Sequence, residues 1–151
     1  MYVLAIGSFV RGVMRWIAID PGKRSGYAIV NNGAIVECGT CAIEDLMVNR
    51  QLRIECAVIE IPRVYPTMNK WKGDPQILVM LAFSCGRLVE WFDDYTLIEA
   101  REWGGSAPKD AKWRRTQQAL TDSERAFIPA RLSEHARDAL GIACWAMGRF
   151  Q

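Results

Sequence analysis

Residues 14–22 are Met-Arg-Trp-Ile-Ala-Ile-Asp-Pro-Gly, a mostly apolar, β-prone run that a Pro-Gly pair ends. This pattern predicts a strand that stops at Asp20, because Pro and Gly favour turns over continued strand. A second apolar run, Ala57-Val58-Ile59, leads in the same way to Glu60. Each of these two predicted strands therefore ends on a carboxylate.

The segments around these two runs predict a mixed sheet. Residues 26–30 and 34–42 are β-prone and flank the tight-turn sequence Asn31-Asn32-Gly33, so the first three strands form an antiparallel hairpin meander. Residues 54–60 are nearly all apolar, as in strands covered on both faces, and residues 95–99 complete the sheet. The prediction is an α/β fold in which a five-stranded sheet, partly antiparallel and partly parallel, is flanked by helices.

Four segments predict the helices. Residues 44–51 suggest a short polar helix or turn, and residues 75–93 predict a long helix with apolar residues on more than one face. The segment Thr121-Asp122-Ser123-Glu124 has the spacing of a capping box, and Ser133 can cap a last helix that runs to about Met147. A long helix that is apolar on two sides needs a cover on both.

The composition, with 50% hydrophobic and 24% charged residues, indicates one globular domain across residues 1–151. Residues 1–13 are expected to form a loosely attached extension. Their apolar part is too short to cross a bilayer, so no membrane partner is expected. The net charge of +2 is too small to require a polyanion, so any attraction to nucleic acid has to come from local clusters.

Cysteine usage indicates a reducing compartment. The five cysteines are an odd number spread through apolar segments, which favours free thiols and a cytoplasmic location. Cys38 and Cys41 match the C-x-x-C pattern, but no second pair of ligands follows to complete a structural zinc site. In an extended strand this odd spacing points the two thiols to opposite faces, so a structural role is predicted for them.

Each acidic residue has an ordinary explanation when it is taken alone. Asp20 suits a turn, Glu60 an exposed strand end, and His135 with Asp138 a solvated face of the last helix. Together they are more informative, because neighbouring parallel strands end at one edge of a sheet. His135 and Asp138, at i and i+3, share a helix face that can pack across that edge, whereas Glu134 lies on another face.

Carboxylates gathered at one point repel one another unless a cation lies between them. Oxygen ligands with one imidazole favour Mg²⁺, and Mn²⁺ is also suitable. Two such ions about 3.5–4 Å apart activate water and stabilise the leaving oxygen in a displacement at phosphorus. Phosphodiester hydrolysis is therefore the predicted reaction class.

Three segments resemble the RuvC Holliday-junction resolvases of the RNase H-like superfamily and their bacteriophage relatives. They are Ile17-Ala18-Ile19-Asp20-Pro21-Gly22 with Gly26-Tyr27, then Ala57-Val58-Ile59-Glu60, then His135-Ala136-Arg137-Asp138-Ala139-Leu140-Gly141-Ile142-Ala143. The resemblance in order and spacing spans about residues 14–149. It implies an RNase H-like nuclease domain with catalytic metal ligands at Asp20, Glu60 and Asp138. It also places His135 where family members carry Asp or His.

Two basic clusters are candidates for holding nucleic acid. The first follows Glu60 and combines cations with aromatic rings, which suits phosphates and exposed bases. Its residues are Arg63, Tyr65, Lys70, Trp71 and Lys72. A solvated loop with Trp71 packed down is the alternative.

The second cluster lies between the last strand and the last helix, where the similar phage proteins also carry a basic stretch. Its residues are Lys109, Lys112, Arg114 and Arg115.

The sequence thus predicts a divalent-metal-dependent endonuclease that cuts branched DNA, with resolution of four-way junctions as the leading activity. The helix from Pro75 to Asp93 is expected to pair with a copy of itself, as in the homodimeric resolvases that it resembles. The alternative is that both of its apolar faces are covered within the monomer. Two other functions stay open: a non-catalytic binder of branched DNA, and an RNase H-like nuclease that acts on RNA.

Overall fold

The computed structural model describes residues 10, 12–48, 54–62 and 74–150. Its strands are β1 (Arg15–Asp20), β2 (Ser25–Asn31), β3 (Ala34–Cys41), β4 (Cys56–Ile61) and β5 (Tyr95–Glu99). Its helices are α1 (Ile43–Val48), α2 (Pro75–Val89), α3 (Ala100–Gly104), α4 (Lys109–Ala119), α5 (Asp122–Phe127) and α6 (Glu134–Ala146). The expected extension at residues 1–13 falls largely outside the described residues and stays a prediction.

The five strands form one sheet in the order β3-β2-β1-β4-β5. The pairs β1–β2 and β2–β3 are antiparallel, and the turn after β2 contains Asn32 and Gly33 with positive φ angles of 50° and 76°. Strand β4 lies parallel to β1 on one side and to β5 on the other. The predicted mixed sheet, with its hairpin meander and its parallel strands, is confirmed.

The long helix is shorter than its sequence pattern predicts. Helix α2 ends at Val89, so the prediction that it continues to Asp93 was wrong. The backbone N–H of Trp91 donates to the carbonyl of Leu88 at 3.0 Å, which turns the chain away from the helix axis. The apolar residues Trp91 and Phe92 therefore lie beyond the helix, although their spacing continues its apolar pattern.

Both predicted helix caps are present. The hydroxyl of Thr121 accepts from the backbone N–H of Glu124 at 3.2 Å, and the Glu124 carboxylate accepts from the backbone N–H of Thr121 at 2.8 Å. Ser133 caps α6 by accepting from the backbone N–H of Ala136 at 3.1 Å.

The sequence pattern did not predict α3 and α4. No helix in the described part of the chain has the length and apolar content needed to cross a membrane.

The sheet buries a core on each of its two faces. Alternate residues of a strand point to opposite sides, so Ala18 and Val58 lie in the core beneath α6, whereas Ile19 and Ile59 lie in the core beneath α2. All four are fully buried. Because both faces are covered, the strand ends between α6 and α2 are held in fixed positions.

The two thiols of the C-x-x-C segment lie on opposite faces of β3. Cys38 packs against the core beneath α6. Cys41 lines a small cavity with Ile17 and Ile29, which belong to the core beneath α2. All five cysteines are free thiols, and burial raises the pKa of both Cys38 and Cys41. This placement agrees with a structural role for the pair.

A buried ion pair ties the end of the sheet far from Asp20 to the last residues of the chain. Glu124 is 2% exposed and accepts from the backbone N–H of Ile35 at 2.7 Å and from Arg149 at 2.7 and 3.1 Å. Burial alone would raise the pKa of Glu124, but these donors outweigh burial and lower the pKa to about 2. This pair therefore connects β3, α5 and the chain after α6.

Candidate active site

Two carboxylates leave the sheet side by side. In the parallel pairing of β1 with β4, Ile19 lies opposite Ile59, so the next residues along, Asp20 and Glu60, are neighbours at the same edge. Ile19 and Ile59 face α2, so the residues that follow them point toward α6. Asp20 is only 6% exposed. The structure thus brings Asp20 and Glu60 together at the sheet edge where their sequence positions place them.

A glycine lets the last helix come close to these carboxylates. Gly26 pairs with Asp20 across β1 and β2, and the backbone of His135 lies directly over it. A Cβ atom on residue 26 would be 1.9 Å from the His135 carbonyl oxygen, so only glycine permits this approach. As a result, the Nδ1 atom of His135 donates a hydrogen bond to the Oδ2 atom of Asp20 at 2.6 Å.

The third carboxylate, that of Asp138, reaches the same place from α6, one turn after His135. Burial raises the pKa of Asp138 to about 6, and repulsion from Asp20 contributes to the rise. Burial also raises the pKa of Glu60 to about 7, and repulsion from both Asp20 and Asp138 adds to it. The three carboxylates from β1, β4 and α6 therefore lie close enough to repel one another.

Three protein groups offset part of this negative charge. The hydrogen bond to Asp20 raises the pKa of His135, although burial acts in the opposite direction. The indole Nε1–H of Trp103 donates to the Oε2 atom of Glu60 at 2.6 Å. The ammonium group of Lys112 lowers the pKa of Glu60, and it has the same effect on Asp138. Each donor stabilises a carboxylate in its charged form.

The ligand types and the excess of negative charge fit a divalent cation, because Mg²⁺ and Mn²⁺ prefer carboxylate oxygens. The side chains do not form a finished ligand cage. Among the described residues, no three His, Cys, Asp or Glu side chains are grouped so that they could hold a metal ion. The carboxylates of Asp20 and Glu60 form hydrogen bonds with His135 and Trp103. The metal-ligand roles of these residues and of Asp138 stay predictions.

The second basic cluster lies beside the site, on α4. Lys109 forms an ion pair with Glu134, and the hydrogen bond between them raises the pKa of Lys109 and lowers that of Glu134. The ammonium nitrogen of Lys112 lies 5.2 Å from the centroid of the Trp103 indole ring. Two of the predicted DNA-binding residues therefore already contact groups within the chain.

The remaining predicted DNA-binding residues have different positions. Arg114 is exposed, whereas Arg115 is half-buried and lies over the ring of Phe150 at 4.2 Å. The first basic cluster lies outside the described residues. Its members are Arg63, Tyr65, Lys70, Trp71 and Lys72. Their predicted role in binding nucleic acid stays a prediction.

Trp103 is the residue of this site that sequence analysis missed. It lies on α3, a five-residue helix that starts immediately after β5. Because β5 is the parallel neighbour of β4, with Glu99 opposite Ile61, α3 begins close to the end of β4 that carries Glu60. The only sequence signal was an aromatic N–H donor just beyond the end of a strand, and this signal has value only when the strand order is known.

Comparison with solved structures defines the class of fold: the described sheet and helices have the RuvC-type form of the RNase H-like fold. One similar structure is Thermus thermophilus RuvC in complex with a Holliday junction substrate, which is 15% identical, with 86% of this chain and 92% of that chain covered at a TM-score of 0.60. Another is the yeast mitochondrial Holliday junction resolvase Ydc2, which is 12% identical. The match covers 95% of this chain and 84% of the Ydc2 chain, at a TM-score of 0.52. No protein-family model and no curated protein matches the chain.

Replacing Gly26 by alanine tests the contact that positions α6. The added methyl group would overlap the carbonyl of His135, so α6 must move away from β2. Overpacking of this kind costs about 1–3 kcal/mol. For a domain of this size, we expect the melting temperature to fall by about 2–12 °C in a thermal unfolding experiment followed by circular dichroism.

Gly86→Ala is the matched control for this substitution. Gly86 lies in α2, and no atom lies within 4 Å of a Cβ added there. An alanine in a helix interior is more stable than glycine by about 0.5–1 kcal/mol, so this variant should melt at or above the temperature of the parent. If Gly26→Ala had the same melting temperature as Gly86→Ala, the close approach of α6 to β2 would be refuted.

Proposed function

We propose that this chain is a divalent-metal-dependent endonuclease that cleaves branched DNA, with the four-way junction as its substrate. One observation carries the proposal: carboxylates from β1, β4 and α6 lie at one edge of a RuvC-type sheet, where burial and repulsion raise the pKa values of Glu60 and Asp138. Perturbed carboxylates concentrated at one place are typical of catalytic sites. The four-way junction is chosen because the similar Thermus thermophilus RuvC structure is a complex with a Holliday junction substrate.

Four residues would hold the metal, as two Mg²⁺ or Mn²⁺ ions: Asp20, Glu60, His135 and Asp138. Bound ions of this kind supply an activated water and stabilise the leaving oxygen at phosphorus. Strands β1 and β4 fix two of the carboxylates relative to each other, and α6 adds the third together with the imidazole. Lys112 places a positive charge beside them, where a scissile phosphate gathers negative charge.

The basic residues of α4 are proposed to hold the DNA strand near the metal site. The side chains of Lys109 and Glu134 are 76% and 57% exposed, so their ion pair contributes little stability and can be exchanged for a phosphate contact. Arg114 is exposed on the same helix. Such contacts position the backbone without reading its sequence. The cluster in residues 63–72 is proposed to add stacking and phosphate contacts.

One assay separates this function from its two alternatives. A labelled four-way DNA junction and a labelled RNA hairpin are each incubated with the protein and Mg²⁺. Nicked duplex products from the junction support the proposal. Binding of the junction without products would identify a non-catalytic binder, and cleavage of the RNA alone would identify an RNA nuclease. A binder would gain nothing from three neighbouring carboxylates that repel one another.

Asp20→Asn should abolish cleavage and leave junction binding largely intact. Even changes beside a metal ligand cost about 10- to 100-fold in activity, so removal of a ligand should cost more than about 100-fold. Cleavage is measured by gel electrophoresis and binding by fluorescence anisotropy. Asp122→Asn, whose side chain is 99% exposed on α5, is the matched control and should cleave like the parent. Parent-level cleavage by Asp20→Asn would contradict the metal-ligand role of Asp20.

Mg²⁺ should stabilise the folded protein, and more strongly at pH 8 than at pH 5. The pKa values of Glu60 and Asp138 are raised to about 7 and 6, so their neutral forms favour folding at low pH and this contribution is lost as the pH rises through those values. At pH 8 both are charged, and a cation at 100 times its Kd contributes about 2.7 kcal/mol.

This stabilisation corresponds to a rise in melting temperature of about 5–10 °C at pH 8, measured by differential scanning calorimetry with and without Mg²⁺. The rise should be smaller at pH 5, where protons compete with the cation. Asp20→Asn should lose most of it. If Mg²⁺ left the melting temperature of the parent unchanged at pH 8, the shared metal site would be refuted.

We also propose that the protein is a homodimer that pairs through α2. Four large apolar side chains are 57–62% exposed on this helix, and they are Ile77, Val79, Met80 and Phe83. Exposed apolar groups concentrated on one helix are typical of protein interfaces. A two-fold dimer would present two metal sites to a four-way junction, which needs two symmetric cuts.

Phe83→Glu should convert the dimer into a monomer, because it places a charge in the apolar interface. Sedimentation velocity measures the outcome. Phe127→Glu is the matched control, since Phe127 is 43% exposed on α5, away from α2, and this variant should stay dimeric. A parent that sediments as a monomer at micromolar concentration would exclude this interface.

A further inference from the structure

We propose that Trp103 is a positioning residue of the nuclease site: its indole N–H holds the Glu60 carboxylate at the sheet edge that Asp20 and Asp138 share. This inference rests on the proposed function. The direct observation is the hydrogen bond from the Trp103 Nε1–H to the Oε2 atom of Glu60, at 2.6 Å. A short bond from a neutral donor to a carboxylate is among the stronger hydrogen bonds in proteins, and it fixes the rotation of the carboxylate plane.

The indole is itself held rigidly. Trp103 is 3% exposed, and its ring lies against the backbone of α6 at Gly141, where an added Cβ atom would be 2.4 Å from the Cζ3 atom of the ring. The Nη2 atom of Arg115 donates to the backbone carbonyl of Trp103 at 2.5 Å. The position of the indole is thus determined by α6 on one side and by α4 on another. A hydrogen-bond donor that is fixed in this way also fixes the position of the carboxylate that it binds.

Lys112 completes the arrangement. Its ammonium nitrogen lies 5.2 Å from the centroid of the Trp103 ring, and its side chain packs against Gly104, where an added Cβ atom would be 2.6 Å from the Lys112 Cε and Nζ atoms. The cation therefore lies on the ring whose edge contacts Glu60. Through Trp103, helices α3, α4 and α6 all act on the position of one carboxylate.

The alternative is that Trp103 has a purely structural role. Its hydrogen bond to Glu60 would then only satisfy the N–H of a core residue, because buried Trp side chains usually find an acceptor. The two roles predict different effects when the N–H is lost. If Trp103 only fills space, Trp103→Phe affects stability and leaves the chemical step unchanged. If it positions Glu60, the same variant lowers kcat while KM for the junction stays close to that of the parent.

The test compares Trp103→Phe with Trp145→Phe, each made in the whole 151-residue chain. Trp145 is half-buried at the far end of α6 and serves as the matched Trp-to-Phe control. Loss of one hydrogen bond to a charged group predicts that Trp103→Phe lowers kcat for junction cleavage by about 10- to 100-fold. The KM should change by less than about 3-fold. Parent-like kcat in Trp103→Phe would overturn the inference.

A second measurement needs neither cleavage nor a folded Trp103 variant. In the ¹H–¹⁵N spectrum of the metal-free protein, the indole resonance of Trp103 should lie downfield of an ordinary indole because of its short bond to Glu60. Glu60→Gln should move this resonance and leave that of Trp145 in place. A Trp103 indole resonance at an ordinary position, unchanged by Glu60→Gln, would refute the contact.

The two kinds of failure are distinguishable. A parent that cleaves no branched DNA overturns the proposed function, while the indole resonance still decides whether Trp103 holds Glu60. A parent that cleaves junctions, together with a Trp103→Phe variant of equal kcat, overturns only the positioning role.

Discussion

Negative charge crowded at the ends of β1 and β4 is the constraint on which the rest of the site depends. Asp20 and Glu60 are adjacent because their strands are parallel neighbours, and α6 brings Asp138 against them. Carboxylates removed from water are unfavourable unless proton donors or cations compensate them. An imidazole, an indole and an ammonium group supply part of that compensation within the chain. The remaining excess is the physical basis for proposing divalent cations as partners.

Close backbone contacts, made possible by missing side chains, set the geometry of this charge. The first turn of α6 lies on β2 because Gly26 has no Cβ atom, and the indole of Trp103 lies against α6 because Gly141 has none. Both contacts join regular elements of the fold, and groups carried by helices and strands are positioned more precisely than groups carried by loops. Substitutions at these glycines should therefore disturb the site although neither residue carries a functional group.

The parts of the site that lie at strand ends could be predicted from sequence, because apolar runs locate buried strands and parallel neighbours end at one edge. The pairing of His135 with Asp138 followed from helical spacing. Trp103 could not be found in this way, since its contact depends on β5 lying beside β4 and on a short helix without a sequence signal. The end of α2 was overestimated because Trp91 and Phe92, which lie beyond the helix, continue its apolar pattern.

The most direct test of the central claim is the titration of side-chain carboxyl carbons by ¹³C NMR in the metal-free protein. Burial and mutual repulsion predict that Glu60 titrates near pH 7 and Asp138 near pH 6. Saturating Mg²⁺ should lower both midpoints, because the cation favours the charged forms. A Glu60 carboxyl that titrates near its ordinary value of 4.5, with or without Mg²⁺, would contradict the account.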